Sequence, residues 1–369
     1  MTHQNISQTM SPAITTLVFD GGETLMRVFP QYEGPMVNWP EVSIIEGVQQ
    51  TIARLYGKMK LVVATNARDS SADQVRAALQ RVGIAHYFTA ILTYNEIDSR
   101  KPDPGFFEAI CRMTSSSPNQ IVMVGDEYPA DMIGAIQAGW KAVWYNPRCR
   151  PCPGLIPIHQ GEIHSLEDLP DVLDNLILPD LPTAFFWVLE QGASANMLVH
   201  VQLVAALCYQ LALWLSLQGE KVNPILAHRG GLLHDLAKIH SSRKKNTNAL
   251  YNEPDHGELA AQLLEKKNQP SLAEIARRHI LFTLLEEERH PRTWEEKLVY
   301  FADKLVEANQ IVQLEDRLLA LQKRYSLNPG RLNQLKPALL ELQADICQHA
   351  SIPVIELVPR LREAFLHQN

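Results

Sequence analysis

A histidine and an aspartate stand side by side in the apolar run Gly230-Gly231-Leu232-Leu233-His234-Asp235-Leu236-Ala237-Lys238. Burying both is costly unless something pairs with them, and a divalent metal ion is the partner this pair suits. His200 lies upstream, and His256, His279 and Asp303 follow, each about one helical hairpin from the next. Imidazole plus carboxylate without cysteine suits iron, manganese, zinc or magnesium in hydrolytic chemistry. A second set of polar residues sits earlier in the chain, where Asp20, Thr65 and Gly125-Asp126 each close a short apolar run and Lys101 and Asp131 stand nearby. Carboxylates at the ends of parallel strands are well placed for chemistry.

The elements that must position these residues differ between the two halves. Residues 14–19, 61–64, 90–92, 121–124 and 141–144 read as buried strands. They alternate with helical spacing over 43–56, 71–82, 104–113, 132–138 and a closing helix within 165–178. That alternation predicts an α/β domain with a doubly wound parallel sheet over residues 14–178, after a flexible stretch 1–13. Pro179-Asp180-Leu181-Pro182 places a linker at 179–184. Beyond it no strand pattern returns. Helical spacing over 197–217, 224–239, 256–267, 271–285, 293–307 and 314–325 predicts an all-α domain over 185–326, with two further amphipathic helices in the tail 327–369.

The order Phe19-Asp20-x-x-x-Thr24-Leu25, Thr65-Asn66, Arg100-Lys101-Pro102-Asp103-Pro104, then Val124-Gly125-Asp126 with Asp131 and Gly134-Ala135, resembles the haloacid dehalogenase-like phosphohydrolases over about residues 14–178. The resemblance implies that Asp20 is a nucleophile accepting a phosphoryl group, with Thr65 and Lys101 on the phosphoryl oxygens. It also implies a Mg²⁺ site made by Asp20, Asp126, Asp131 and the backbone carbonyl of Gly22. Most phosphatases of this family carry a general-acid aspartate where this chain has Gly22. Losing such an acid costs roughly 10² to 10⁴ in rate. Three readings follow: a phosphatase limited to good leaving groups, an enzyme using another acid such as Glu23, or a domain kept for binding or assembly. Too few residues separate Leu25 from Leu61 for a full helical lid, which predicts an open site.

His200, His234-Asp235, His256, His279 and Asp303, with the strings around His234 and Tyr300-Phe301-Ala302-Asp303-Lys304, resemble the HD superfamily of metal-dependent phosphohydrolases over about residues 195–310. The resemblance implies one metal on His200, His234, Asp235 and Asp303. His256 and His279 look like the extra pair of two-metal members, in which Asp235 bridges the ions. The histidine spacing is similar to that of the bacterial enzymes that split diadenosine tetraphosphate symmetrically. Lys238, one turn from the pair, is placed to meet a substrate phosphate.

Composition narrows the partners. The net charge of -7 arises in the first half, with 13 Lys and Arg against 20 Asp and Glu up to Asp180 and 21 against 21 thereafter. This argues against strong nucleic-acid binding. Five scattered cysteines suit a reducing compartment, and Cys149-Arg150-Pro151-Cys152 lacks the second pair a zinc site needs. The first 14 residues show no signal-peptide pattern, and residues 197–217, though nearly long and apolar enough to span a membrane, carry His200, Gln202 and Gln210 and read as a buried helix. The sequence therefore predicts a cytoplasmic phosphohydrolase acting on a small phosphorylated substrate such as a nucleotide, with no membrane partner. Leu-rich faces in the tail pack on the helical domain or make a homodimer contact. A binding protein for a phosphorylated ligand and a nucleic-acid end-processing phosphatase are the other readings.

Overall fold

The computed structural model describes residues 13–174, 176, 178–238, 255–325 and 329–366. Two compact units emerge, Met1–Pro147 with Ile158–Leu176, and Arg148–Pro157 with Ile177–Asn369. The expected division after residue 178 differs in two places: residues 148–157 group with the helical unit, and that unit resumes at Ile177.

In the first unit, β1 (Thr16–Phe19), β2 (Lys60–Ala64), β3 (Ala90–Leu92), β4 (Ile121–Gly125), β5 (Lys141–Tyr145) and β6 (Gly161–Ile163) form one sheet in the order β3-β2-β1-β4-β5-β6. All five pairings are parallel. The strands read as continuous apolar runs because both faces are covered, as parallel sheets require: Leu17, Val18 and Phe19 are all fully buried. Covering helices are α1 (Val48–Leu55), α2 (Ala72–Arg81), α3 (Tyr94–Ile97), α4 (Pro104–Thr114), α5 (Gly134–Gln137) and α6 (Leu169–Asp174). A π-helical turn, Tyr128–Ile133, precedes α5. β6 escapes sequence reading because it is a three-residue edge strand whose middle residue is the buried Glu162.

Register decides where the chemistry sits. Phe19 lies opposite Val63 on one side and Val124 on the other, so Asp20, Thr65 and Asp126 leave three adjacent strands at the same edge. Strand order reverses between β1 and β4, and the crevice at such a switch point is where doubly wound sheets bind ligands.

The second unit is built from α7 (Leu181–Glu190), α8 (Ala195–Leu217), α9 (Pro224–Leu233), α10 (His256–Lys266), α11 (Pro270–Arg278), α12 (Trp294–Asp303), α13 (Leu314–Tyr325), α14 (Pro329–His349) and α15 (Leu357–Leu366). Two expectations need correction. The segment 179–184 is the start of α7 rather than a linker: Asp180 accepts from the Thr183 amide at 2.8 Å and Pro182 occupies the first turn. The same Asp and Pro serve equally as a helix start. A strand pair also returns, β7 (Val306–Glu307) against β8 (Gln310–Ile311), too short to show a pattern. The expected interruption at 244–254 and the end of the helix expected over 224–239 lie outside the described residues.

Helix α8 is long and apolar enough to cross a membrane, with a mean hydropathy of 1.7 over its most apolar window. Its middle and C-terminal part is buried against α9 and α12, as Leu207, Cys208, Tyr209 and Leu211 show at zero exposure. Gly231 permits that packing, since a Cβ there would lie 2.7 Å from the Ala205 Cα. Only glycine lets α9 approach so closely, and that approach brings His234 beside His200.

Candidate active sites

In the first unit the Lys101 ammonium reaches Asp20 Oδ1 at 2.5 Å and Asp131 Oδ1 at 2.6 Å. Asn66 holds the Lys101 backbone from both sides, accepting from its amide at 2.8 Å and donating to its carbonyl at 3.0 Å. Asn66 stood in the Thr65-Asn66 motif, but nothing in the sequence pointed to this clamp. Thr24 donates to Asp126 Oδ1 at 3.1 Å, and Trp144 donates to the Asp126 carbonyl at 3.0 Å. A Cβ on Gly125 would sit 2.2 Å from Asp131 Oδ2, so glycine is needed there for Asp131 to reach the crevice.

Carboxylate oxygens of Asp20, Asp126 and Asp131 lie within 4.8 Å of one another. Burial and the charge of Asp20 push Asp126 up to about 6. Burial works against the Lys101 charge, but Asp131 and Asp20 outweigh it and hold its pKa above the ordinary lysine value. Crowded carboxylates of this kind match the chemistry of a hard cation such as Mg²⁺. Thr65 lines the same crevice, its side chain against Gly21. Gly22 lines the adjoining cavity with Gly21 and Thr65. Glu23, the alternative acid, is exposed and accepts from the Val28 amide at 2.7 Å, which engages it in its own turn. The segment after Leu25 forms no helical lid; it holds one 3₁₀ turn, Met36–Asn38, and a cluster of Phe29, Tyr32 and Trp39.

In the helical unit, five elements deliver the second centre. His200 comes from α8, His234 and Asp235 from the turn after α9, His256 from the first residue of α10, His279 from the C-cap of α11 and Asp303 from the last residue of α12. Asp235 sits between two groups. Its Oδ2 is 3.4 Å from His234 Nε2 and 3.9 Å from His200 Nε2, while its Oδ1 is 3.3 Å from both His256 Nε2 and His279 Nε2. Asp303 Oδ1 lies 3.1 Å from His200 Nε2 and 3.7 Å from His234 Nε2.

Backbone carbonyls orient the rings. His234 Nδ1 faces the Gly231 carbonyl at 2.7 Å and His279 Nδ1 faces the Ala276 carbonyl at 2.6 Å, which directs both Nε2 atoms inward. Burial pulls His234 down, yet Asp235 and Asp303 outweigh it and hold its pKa at about 9. Burial pushes His279 down to about 4 against the pull of Asp235. Burial also opposes ionisation of Asp235, but Lys238 and His234 keep its carboxyl well below the usual range.

Among the described residues, His234 Nε2 and Asp235 Oδ1 are buried without a hydrogen-bond partner. Two orphaned polar atoms at the focus of a histidine–carboxylate cluster fit metal ligation. Lys238 contacts Asp235 Oδ2, so its ammonium lies against a carboxylate at the centre. Lys304 stood in the quoted sequence string without a role. It is buried and donates to Asp303 Oδ2 at 2.7 Å and to the His279 carbonyl at 2.8 Å.

Each centre thus lies in its own unit, a carboxylate crevice on a parallel sheet and a histidine–aspartate cluster among helices. The chain carries a haloacid dehalogenase-like hydrolase domain, whose family model matches residues 2–145, and an HD domain matched over residues 197–308. Similar curated proteins include human N-acylneuraminate-9-phosphatase, 27% identical over 142 residues that make up 37% of this chain and 54% of that protein. Pyrimidine 5'-nucleotidase YjjG of Escherichia coli is 30% identical over 34% of this chain and 56% of its own. An uncharacterized protein of Methanocaldococcus jannaschii is 30% identical over 40% of this chain and 88% of that protein. The chain spans about half the length of the two named phosphatases it matches.

Proposed function

We propose that the chain is a metal-dependent phosphohydrolase whose main centre is the His234-Asp235 cluster, acting on a phosphoester or phosphoanhydride of a nucleotide. The carrying observation is the position of Asp235. Its two oxygens face separate groups, His200 and His234 on one side and His256 and His279 on the other. With Asp235 common to them, the two sets of side chains would hold divalent cations. Divalent ions held there would polarise the phosphoryl oxygens and lower the pKa of water toward neutrality.

The chain's own side chains supply the rest. His200, His234, His256, His279 and Asp303 with Asp235 would hold the ions, and Lys304 fixes Asp303. Lys238 and His256 are the more exposed members of the cluster, and the Lys238 ammonium would exchange Asp235 for a substrate phosphate. In the first unit, Asp20 would accept a phosphoryl group beside Lys101 and Thr65, with Asp126 and Asp131 holding Mg²⁺. The near-neutral charge balance after Asp180 favours a small substrate over a polynucleotide. Pyrimidine nucleotidase activity in a relative's name supports a nucleotide.

The test is product formation from mono-, di- and dinucleoside phosphates with Mn²⁺, Fe²⁺ or Mg²⁺, comparing wild type with Asp235→Ala and Asp20→Asn. Loss of nucleotide turnover in Asp235→Ala alone is the expected result. Turnover that survives Asp235→Ala but not Asp20→Asn would move the chemistry to the first unit, and ligand binding with no product in wild type would make the protein a binder.

A further inference from the structure

A cavity of about 230 Å³ opens beside Gly21, Gly22 and Thr65 in the first unit. Its walls are mostly apolar: Met26, Val28, Met36 and Trp39 on the segment after the nucleophile, and Val75 and Leu79 on α2. The wall is fixed in place rather than loose. Arg81 of α2 donates to the Val37 carbonyl at 3.0 Å and the Trp39 carbonyl at 2.6 Å, and the Trp39 indole donates to the Gly34 carbonyl at 2.9 Å. An apolar cavity of roughly 150 Å³ already admits a benzene ring.

Gly22 bears on the same question. Position 22 carries no carboxyl, Glu23 accepts from the Val28 amide at 2.7 Å, and Asp69, an exposed carboxylate on the cavity wall, accepts from the Ser70 hydroxyl at 3.0 Å. An oxygen that leaves as a stable anion needs no acid. A ring-sized apolar cavity next to a glycine at the usual acid position favours an ester whose alcohol is aromatic and leaves as a stable anion.

We propose that this cavity holds the aromatic body of an aryl phosphate monoester whose phosphoryl group passes to Asp20, a proposal that rests on the Asp20 reading above. A carboxylate oxygen of Asp20 bonds to phosphorus as the bond from phosphorus to the aryl oxygen breaks. The aryl oxide departs with the electron pair and takes a proton from water. A water oxygen then attacks phosphorus, the Asp20–phosphorus bond breaks, and phosphate is released with the free carboxylate restored and a proton given to solvent.

The test compares binding of phenylphosphonate and methylphosphonate, which cannot be hydrolysed, by calorimetry in Mg²⁺. Phenylphosphonate is expected to bind wild type at least tenfold tighter. Val28→Trp, at an exposed position on the cavity wall, and Ala78→Met, on α2, should each cut that preference to below about threefold with methylphosphonate affinity unchanged. Equal affinity for the two phosphonates in wild type, or a preference that survives in both folded variants, overturns the proposal. In turnover, kcat/KM across substituted phenyl phosphates should fall steeply as the phenol becomes less acidic, and Gly22→Asp should flatten the slope. A flat wild-type series overturns the leaving-group part. Failure of the underlying Asp20 reading has its own signature: aryl phosphate turnover that persists in Asp20→Asn while the phosphonate preference stands.

Discussion

Lys304 binds Asp303 through Oδ2 at 2.7 Å while the other oxygen of that carboxylate, Oδ1, faces His200 at 3.1 Å. The ammonium also donates to the His279 carbonyl at 2.8 Å, so one buried lysine joins the ends of α11 and α12. It touches both proposed halves of the centre while ligating neither. Groups that orient metal ligands typically contribute 10- to 100-fold in affinity. Lys304→Met should therefore weaken Mn²⁺ binding by about that factor, read by calorimetry, with the six ligand side chains intact. Unchanged affinity would reduce Lys304 to a packing role.

The shared position of Asp235 makes a prediction about stoichiometry. Wild type should bind two Mn²⁺ per helical centre, His279→Ala one, and Asp235→Ala neither tightly, as measured by metal analysis after gel filtration. Saturating metal should raise thermal stability too, by about 2.7 kcal/mol at a hundredfold excess over Kd. One ion per wild-type chain with His279→Ala unaffected would contradict the bridging arrangement.

Gly231 carries a packing prediction. A Cβ there would press on the Ala205 backbone at 2.7 Å and 2.9 Å and on Cys208 Sγ at 3.1 Å. Backbone cannot yield as a flexible side chain can, so Gly231→Val should cost about 1–3 kcal/mol in denaturant unfolding. Displacing α9 from α8 also separates His234 from His200, and metal affinity should fall with stability.

The helical hairpin that carries His256 and His279 is tied by Arg277, which reaches Glu258 at 2.7 Å and Glu265 at 2.8 Å and also contacts Glu274. The hydrogen bond from Arg277 holds the Glu258 carboxyl below its usual range. A depressed carboxyl stabilises the fold above its unfolded pKa, about 4.3, and that contribution disappears as pH falls through the lower folded value. Arg277→Gln should thus lower stability at pH 7 by about 0.5–1 kcal/mol, the pair being partly exposed. The gap from wild type should narrow below about pH 4. A constant gap from pH 7 to pH 3 would assign the loss to packing.

Much of the architecture was legible because it follows from periodicity and strand-end chemistry. Strands β1 to β5 are apolar runs of three to five residues, and Asp20, Thr65 and Asp126 come directly after three of them. The histidine cluster could be picked out for a different reason: His234 and Asp235 stand together in an otherwise apolar run. What stayed hidden depends on contacts far apart in sequence. Asn66 clamps a backbone 35 residues away, and Lys304 serves a carbonyl 25 residues earlier. No local pattern marks either role. β6 stayed hidden because three residues give no period, and α7 because an aspartate before a proline announces a turn and a helix start alike.

Fully buried Arg229 of α9 bonds through Nε to the Pro179 carbonyl at 3.0 Å and through Nη2 to the Pro157 carbonyl at 2.9 Å. Both acceptors lie in chain that leads to or from the α/β unit, and residues 148–157 leave that unit and re-enter it at Ile158. The polypeptide therefore passes from one unit to the other three times. A protein expressed to residue 178 would carry a ten-residue excursion without the helix it binds, and one begun at 179 would bury a guanidinium stripped of an acceptor. The two halves are spliced into each other, so a single cut between them cannot release either one whole.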